Sequence, residues 1–342
     1  MKEKPNNITK VFRIVLLFII GASLLTNCHH QAEGMPHVRY GSSPIYVEIP
    51  VHYALENELF LQEDISVRPT LYPDGKSALE SLLNGESDIV SVMSTPVAFH
   101  AFRKHGFKII GAIDHGKYHG AIAKKELIQK TCSSNWSGLK IGVTQYTSGE
   151  YFMYSYFAFH EISWDSVDIL YGKGPELKES FLQDSIDIMF SWDPYLEETK
   201  AASADPVSEL GRNQLIPSSW LIVCDSSFLK AHPASVIAFL RATKQGLEKA
   251  QTSNKAGIRA HRTILHKEGY PASKVRPEML DHLGISLDEE LVLDLENQAQ
   301  WLIDMNYVSS SIIPDFSKLV CPGPMRTIDS FRVYLPTYQS CP

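Results

Sequence analysis

The chain has 342 residues, of which 44% are hydrophobic and 21% charged, so it has the length of about two globular domains and not the composition of a disordered or fibrous protein. Its formal net charge is −7, and residues 1–27 carry four basic residues against one acidic residue, so the rest of the chain is near −10. No basic stripe stands out along the sequence, which argues against a nucleic-acid-binding surface.

The N-terminus predicts an export signal. A basic stretch ends at Arg13, and the apolar run at 14–25 has the length of a signal-peptide core and is too short for a comfortable membrane span. The run ends in LLTNC, which resembles a bacterial lipoprotein box in which Cys28 is lipidated, although Asn27 stands where such boxes prefer Gly, Ala or Ser. Ordinary signal cleavage and an uncleaved anchor are the alternatives. Residues 28–37 are predicted to be a tether, and the folded body is expected in the periplasm or at the cell surface.

Four cysteines remain after Cys28, and an exported chain can oxidise them. They allow three sets of two disulfides, and the favoured pair joins Cys321 to Cys341 in the Pro-rich tail. The alternative is that Cys132, Cys224 and these two are free thiols. No CxxC spacing occurs, so neither a zinc site nor a redox pair of that type is indicated.

Strands and helices alternate in the first part of the chain. Hydrophobic periodicity and turn residues predict strands at 44–50, 67–72, 87–92 and 107–113, and helices at 51–60, 76–84 and 96–105. Ser94 or Thr95 is expected to cap the last of these helices, with Pro96 in its first turn.

The alternation then repeats. Strands are predicted at 139–143, 167–171 and 185–192, and helices at 151–160, at 175–183 and after Pro194, with Asp193 as the cap of the last helix. This order is typical of an α/β fold with a largely parallel sheet.

Two segments have the same pattern of residue types. Residues 88–96 read DIVSVMSTP and residues 187–194 read DIMFSWDP, so each has an Asp, an apolar strand, a cap residue and a Pro. The repeat suggests two similar lobes that face a cleft. Ligands of open α/β sheets bind at the carboxyl ends of strands, where helix N-termini offer free N–H groups. Asp88 and Asp187 lie at the opposite ends of their strands, so we expect them to be structural.

Several stretches of the sequence, taken in their order along the chain, resemble those of a known protein family. These stretches are ALENELFLQEDISV, ALESLLNGESDIVSVMSTPVAFHAF, GLKIGVTQYTSGEYF, ELKESFLQDSIDIMFSWDPYLEE and FLKAHPASVIAFLRAT. Together they resemble the nitrate/sulfonate/taurine-type substrate-binding proteins of ABC importers, a group that includes binders of thiamine-precursor pyrimidines. The resemblance implies a two-lobe periplasmic-binding-protein fold of the Venus-flytrap, type II kind. Lobe one would be 38–125 plus 216–342, lobe two would be 126–215, and the hinge would lie near GAIAKK and SSWLIVC.

Closure around a ligand requires contacts from both lobes. The candidate contacts follow predicted strands or lie near the hinge: His52, Tyr53, Ser94, Thr95, His115, Tyr146, Thr147, Ser148, Trp192 and Asp193. Each has a structural alternative, such as a loop position for His52, helix caps for Ser94, Thr95 and Asp193, and lobe core for Trp192. His115 and His119 are four residues apart, but the glycines beside them argue against a helical metal pair.

The predicted function is capture of a small organic solute and its delivery to a membrane permease and its ATPase, by a monomer without cofactor or metal. A carboxylate at Asp193 would disfavour nitrate and favour an amine-bearing sulfonate such as taurine, or a nitrogen heterocycle. The alternatives are a surface lipoprotein that serves as an adhesin or sensory receptor, and an enzyme like the pyrimidine synthase of the same superfamily. The sequence has an export signal and lacks that synthase's cysteine cluster, and no hydrolase motif occurs, so a non-enzymatic role is favoured.

Overall fold

The computed structural model describes residues 34–103, 106–116, 119–128, 131, 135–212, 218–271 and 275–335. The predicted signal peptide and lipidation site therefore lie outside the described residues, as do Cys132 and Cys341. Within these ranges, no helix is long and apolar enough to cross a membrane.

Alternating strands and helices form the first part of the fold. The strands are β1 (His37–Ser42), β2 (Ser66–Leu71), β3 (Ile89–Met93) and β4 (Phe107–Gly116). The helices between them are α1 (Ile49–Glu56), α2 (Leu59–Gln62), α3 (Gly75–Leu83) and α4 (Ser94–Ala101).

The second part repeats this order. Its strands are β5 (His119–Lys124), β6 (Lys140–Val143), β7 (Asp168–Tyr171), β8 (Ile188–Trp192) and β9 (Val207–Arg212). Its helices are α5 (Ser148–Phe159), α6 (Gly174–Leu182) and α7 (Tyr195–Ala202).

The chain then returns to the first sheet and ends in helices. This part contains β10 (Ser218–Asp225), α8 (Ser226–Ala231), α9 (Pro233–Thr252), α10 (Asn254–Lys267), β11 (Leu287–Asp288), α11 (Glu289–Asp304), α12 (Gly323–Ile328) and β12 (Val333–Tyr334).

Two five-stranded sheets have the same topology. Their strand orders are β2-β1-β3-β10-β4 and β7-β6-β8-β5-β9. In each sheet the fourth strand is antiparallel to both neighbours, and it is the strand that enters from the other sheet. Each sheet is packed with its own buried apolar residues, so the α/β fold has two lobes: the first lobe around β1–β4 and β10, and the second lobe around β5–β9.

The first predicted strand is wrong. Residues 44–50 read PIYVEIP, a mostly apolar run, but the structure places β1 at His37–Ser42 and starts α1 at Ile49. β1 is fixed by parallel pairing with β2 and β3, in which Tyr40 lies opposite Ile89. Val47 and Ile49 are still fully buried, because a helical turn also directs them into the core.

The border between the lobes differs from the prediction. Residues 119–124 were assigned to the first lobe, but β5 pairs with β8 and β9 in the second sheet. The chain therefore crosses between β4 and β5, and again between β9 and β10. The division of the whole chain into lobes at these crossings stays a prediction.

Asp88 and Asp187 have matching structural roles, as expected. The Asp88 carboxylate accepts the backbone N–H of Arg39 at 2.8 Å and pairs with its guanidinium at 2.5 Å. The Asp187 carboxylate accepts the backbone N–H of Lys140 at 2.8 Å. Each therefore ties the turn before a central strand to the start of the neighbouring strand.

Cys224 is a free, buried thiol, and burial raises its pKa well above the ordinary value. Cys321 is disulfide-bonded, and its partner lies outside the described residues. Its pairing with Cys341 stays a prediction.

Candidate ligand-binding cleft

A cleft lies between the two lobes, and residues of both line it. Its volume, with the open mouth included, is about 530 Å³. The first lobe contributes Ser43, Pro44, Ile45, Pro73, Asp74, Gly75, Lys76, Met93, Pro96 and Trp220. The second lobe contributes His119, Thr147, Ser148, Trp192, Asp193, Pro194 and Tyr195.

The topology explains why these residues meet. Most of them follow the carboxyl ends of β1, β2, β3, β6 and β8, where α/β sheets bind ligands. The reversed strands begin at the same edges, so His119 lies opposite Trp192 and Trp220 lies opposite Met93. Both lobes thus present strand ends and helix N-termini to the same space.

Aromatic rings form much of the apolar wall. The ring centroids of Trp192 and Tyr195 are 5.9 Å apart in an edge-to-face arrangement, and Trp192 meets His119 in the same way at 6.2 Å. Gly149 allows the indole to approach the start of α5, because a Cβ there would lie 3.3 Å from Trp192 Cζ3. Such a wall suits an apolar or flat part of a ligand.

The first residue of β5, His119, and the first residue of α5, Ser148, form a buried polar pair. His119 Nε2 and Ser148 Oγ are 2.8 Å apart, and burial lowers the pKa of His119 to about 3, so its imidazole is neutral at physiological pH. Thr147 donates its hydroxyl to the Thr144 carbonyl at 2.6 Å. Thr147 therefore does not cap α5 with its side chain.

The charged groups at the cleft are Asp74, Lys76 and Asp193. Asp74 caps α3 by accepting the Ser77 N–H at 2.8 Å. The Lys76 ammonium reaches the other lobe, where it donates to the Gln145 carbonyl at 3.3 Å and lies 5.4 Å from the centroid of the Tyr146 ring. The cation is thus engaged between the lobes, close to the ligand space.

Four of the residues predicted from the sequence line the cleft: Thr147, Ser148, Trp192 and Asp193. Their contact with a ligand stays a prediction. Asp193 is not the N-cap of α7, because Pro194 holds that position. Ser94 and Thr95 lie just behind the wall that Met93 and Pro96 form, and both are fully buried. The Ser94 hydroxyl accepts a hydrogen bond from Gln298 at 2.7 Å.

The other predicted contacts lie elsewhere. His52 is fully buried on α1, where its Nδ1 lies 2.8 Å from Nδ1 of His261 on α10, and burial lowers the pKa of both rings. Tyr53 packs beside it against the same helical layer. Both residues were predicted to follow a first strand at 44–50; because that segment forms helical turns instead, they lie away from the cleft. The side chain of His115 is outside the described part of the structure.

Tyr146 belongs to a set of contacts that join the lobes. Its ring stacks on Phe99 at 4.8 Å and meets the ring of Tyr307 edge-on at 4.9 Å. The Tyr307 hydroxyl donates to the buried carboxylate of Glu150 at 2.6 Å and lies 3.1 Å from the Tyr171 hydroxyl. Burial raises the pKa of Glu150, while the hydrogen bond from Tyr307 opposes that shift.

We expect Tyr307→Phe to favour separation of the lobes. The substitution removes a hydrogen bond to a buried carboxylate across the cleft, a loss of about 2 kcal/mol. Small-angle scattering should then show a larger radius of gyration than for the unsubstituted protein under the same conditions. Tyr334→Phe, at an exposed tyrosine, is the matched control. An unchanged radius for Tyr307→Phe would mean that this contact does not hold the lobes together.

Several lining residues were not predicted from the sequence, including Ser43, Lys76, His119, Tyr195 and Trp220. Ser43 follows β1 directly, and a correct position for that strand would have pointed to it. His119 is the first residue of β5 and Trp220 is the third residue of β10, the two reversed strands, and nothing in the local sequence marks the direction of a strand. Their place in the cleft depends on pairing between distant segments.

A sequence profile described as NMT1/THI5 like matches residues 47–255, which is more than half of the chain. The chain belongs to the NMT1/THI5-like family. The match covers the first four lobe-one helices, the whole second lobe and the return through β10 into α10. No curated protein sequence matches the chain.

Solved structures show the same two-lobe fold. The periplasmic aliphatic sulphonate binding protein SsuA from Escherichia coli superposes with a TM-score of 0.68 at 16% identity, over 90% of this chain and 95% of that one. The alkanesulfonate-binding protein SsuA from Xanthomonas axonopodis pv. citri, bound to MOPS, has a TM-score of 0.69 at 14% identity, over 85% and 100%.

A third similar structure is the ligand-binding component of an ABC-type import system from Staphylococcus aureus with zinc bound, with a TM-score of 0.68 at 11% identity, over 86% of this chain and 99% of that one. In the described part of the present chain, no group of three or more His, Cys, Asp or Glu could hold a metal ion.

Proposed function

We propose that this chain is the substrate-binding protein of an ABC import system, which captures a small organic solute in the cleft between its lobes and delivers it to a membrane permease. The observation that carries the proposal is that the cleft is lined from both lobes, by strand ends and helix starts of each. A ligand that contacts both lobes stabilises the closed form, and closure is what a permease can recognise.

We also propose roles for the N-terminal signal, for Cys28 and for the folded body as a whole. The N-terminal signal directs export, Cys28 carries the lipid anchor, and the body works as a monomer in the periplasm or at the cell surface. A permease and its ATPase are the partners. The proposal assigns the chain no catalytic step and no cofactor.

The residues that line the cleft favour one chemical class of solute. Trp192, Trp220 and Tyr195 suit an apolar or flat body, and the N-terminus of α5 suits an oxygen-bearing anionic group. Asp193 suits a cationic or hydrogen-bond-donating group. The solved structures with the same fold include proteins named as binders of sulfonates. Sulfonates, especially amine-bearing ones such as taurine, are therefore the first candidates, with pyrimidine-type heterocycles next.

A thermal-shift panel on residues 29–342 tests the function. The panel contains taurine, alkanesulfonates, MOPS, nitrate, thiamine, formylaminopyrimidine and aromatic acids. A ligand at about 100 times its dissociation constant adds about 2.7 kcal/mol to stability, which raises the melting temperature by a few degrees. A shift with one class of compound supports import. If no compound shifts the melting temperature and native mass spectrometry finds no co-purified solute, an adhesin or receptor role replaces import.

We expect Trp192→Ala to weaken binding of the solute found in this panel by more than about 1 kcal/mol, because an aromatic wall residue acts as an anchor. Calorimetric titration measures the change. Trp164→Ala removes a partly buried indole of the same lobe away from the cleft and is the control. Equal affinities of a folded Trp192→Ala variant and the unsubstituted protein would remove Trp192 from the site.

A further inference from the structure

Among the histidine, serine and threonine side chains that line the cleft, two polar atoms have no hydrogen-bond partner among the described residues. They are His119 Nδ1 and Ser43 Oγ, and both are buried. His119 is 1% exposed and Ser43 is 3% exposed, so bulk water does not solvate them. Because buried polar groups are normally paired, an orphaned pair that lines a ligand cleft points to a partner supplied by the ligand.

The two atoms belong to opposite lobes. Ser43 follows β1 of the first lobe, and His119 begins β5 of the second. A ligand group that bonds to both would connect the lobes through uncharged side chains. Other buried hydroxyls without partners, such as Ser191 Oγ, lie behind the wall and do not line the cleft.

The hydrogens of the His119–Ser148 pair show what kind of group it would bind. A neutral imidazole has one N–H and a serine has one O–H, and their mutual bond at 2.8 Å uses one of these two hydrogens. If Ser148 donates to Nε2, the imidazole hydrogen is on Nδ1. If Nε2 donates to Ser148, the serine hydroxyl keeps its hydrogen. In both cases the pair has one donor left for the ligand.

Other donors surround this one. In the first turn of α5, which begins at Ser148, the N–H groups of Ser148 and Gly149 have no partner within the helix, whereas those of Glu150 and Tyr151 donate to the Thr147 carbonyl. The Ser43 hydroxyl adds a donor from the other lobe. A cluster of donors next to a helix N-terminus favours a ligand group that accepts hydrogen bonds and carries negative charge. Lys76, the cationic side chain at the cleft, is engaged with Gln145 and Tyr146.

We propose that His119 and Ser43 bind an oxyanion of the solute, a sulfonate or carboxylate, from the two lobes, and that His119 does so as a neutral donor through Nδ1. This inference rests on the proposed function and names its substrate class. Neutral donors bind the oxyanion through hydrogen bonds of fixed direction, so the position of the nitrogen on the side chain decides affinity.

Calorimetric titration with taurine, propane-1-sulfonate and propanoate tests the inference. The variants are His119→Asn, His119→Gln and Ser43→Ala, with Ser191→Ala as the control. An asparagine amide lies where Nδ1 lies, whereas a glutamine amide reaches the position of Nε2. For whichever of these probes binds the unsubstituted protein, we expect His119→Gln and Ser43→Ala each to weaken binding about tenfold. His119→Asn should retain affinity within about threefold, and Ser191→Ala should match the unsubstituted protein.

The outcomes separate this inference from the proposed function. If the folded Gln and Ala variants bind a probe as tightly as the unsubstituted protein, the inference is overturned and import stands. If substitution at only one of the two positions weakens binding, the proposal that both lobes bind the oxyanion is overturned. If no sulfonate or carboxylate binds while a heterocycle of the thermal-shift panel does, the substrate class is overturned and import again stands. If nothing in the panel binds and native mass spectrometry finds no co-purified solute, both proposals are overturned. Circular dichroism and melting temperature confirm that each variant is folded.

Discussion

Glu48→Leu is expected to destabilise the protein by about 3–5 kcal/mol at pH 5. Glu48 is fully buried at the start of α1, and its carboxyl group accepts hydrogen bonds from the Tyr40 hydroxyl at 2.7 Å and from the Ser91 hydroxyl. A leucine fills similar space but leaves both hydroxyls without an acceptor, at a cost of about 1–3 kcal/mol each. Chemical denaturation at pH 5 measures the difference.

The same carboxylate makes the difference depend on pH. Burial raises the pKa of Glu48 from its ordinary value of 4.5 to about 7, against the opposing effect of Ser91, Tyr40, Trp220 and the Ser43 backbone. The folded protein therefore holds this proton more tightly than the unfolded chain. The contribution of Glu48 is fully present below pH 4.5 and is lost as the pH rises through 7. From pH 5 to pH 8, the gap between the unsubstituted protein and Glu48→Leu should narrow by on the order of 3 kcal/mol.

Glu86→Leu is the matched control, because Glu86 is exposed. It should change the free energy of unfolding by less than about 0.5 kcal/mol at either pH. A constant gap for Glu48→Leu between pH 5 and pH 8 would show that Glu48 does not titrate in this range. Trp220 and Ser43 line the cleft beside this carboxylate, so the variant should also bind ligand more weakly.

Gly246→Ala is expected to cost about 3 kcal/mol, although alanine is the better helix former by about 1 kcal/mol. Gly246 lies on α9 where α1 crosses it, and a Cβ there would be 2.2 Å from the carbonyl oxygen of Pro50. A backbone oxygen cannot rotate away as a side chain does, so α1 would have to shift. The free energy of unfolding in denaturant measures the effect.

Gly323→Ala is the control for this substitution. Gly323 is also helical, at the start of α12, and a Cβ there has no neighbour within 4 Å. The free energy of unfolding of the Gly323→Ala variant should stay within about 0.5 kcal/mol of that of the unsubstituted protein. If the Gly246→Ala and Gly323→Ala variants have the same free energy of unfolding, α1 and α9 leave room for a Cβ at position 246 and the expected clash with Pro50 does not occur.

The alternation of strands and helices was readable from the sequence, because hydrophobic periodicity and turn residues are local. The repeat at Asp88 and Asp187 also led to the right conclusion, since β3 and β8 are the equivalent central strands of two sheets with the same order. Thr147, Ser148, Trp192 and Asp193 were found at the cleft for the same reason. They follow strands whose ends could be placed from the local pattern.

The position of β1, and with it the places of His52 and Ser43, depends on strand pairing between segments that are distant in the sequence. The segment at 44–50 has a pattern that either a strand or a helical turn can bury, and only the pairing of β1 with β2 and β3 selects His37–Ser42 as the strand. That choice takes His52 out of the cleft and puts it against His261, which is 209 residues away in the sequence. It also puts Ser43 at the cleft.

The amino-acid sequence by itself determined the α/β class, the two similar lobes and the strand ends that face the ligand space. Only the tertiary structure decided that β5 and β10 run against their neighbours, and hence that His119 and Trp220 reach the cleft. The physical reason is that the direction of a strand is set by the partners it hydrogen-bonds to, whereas its local pattern of apolar residues is the same in both directions.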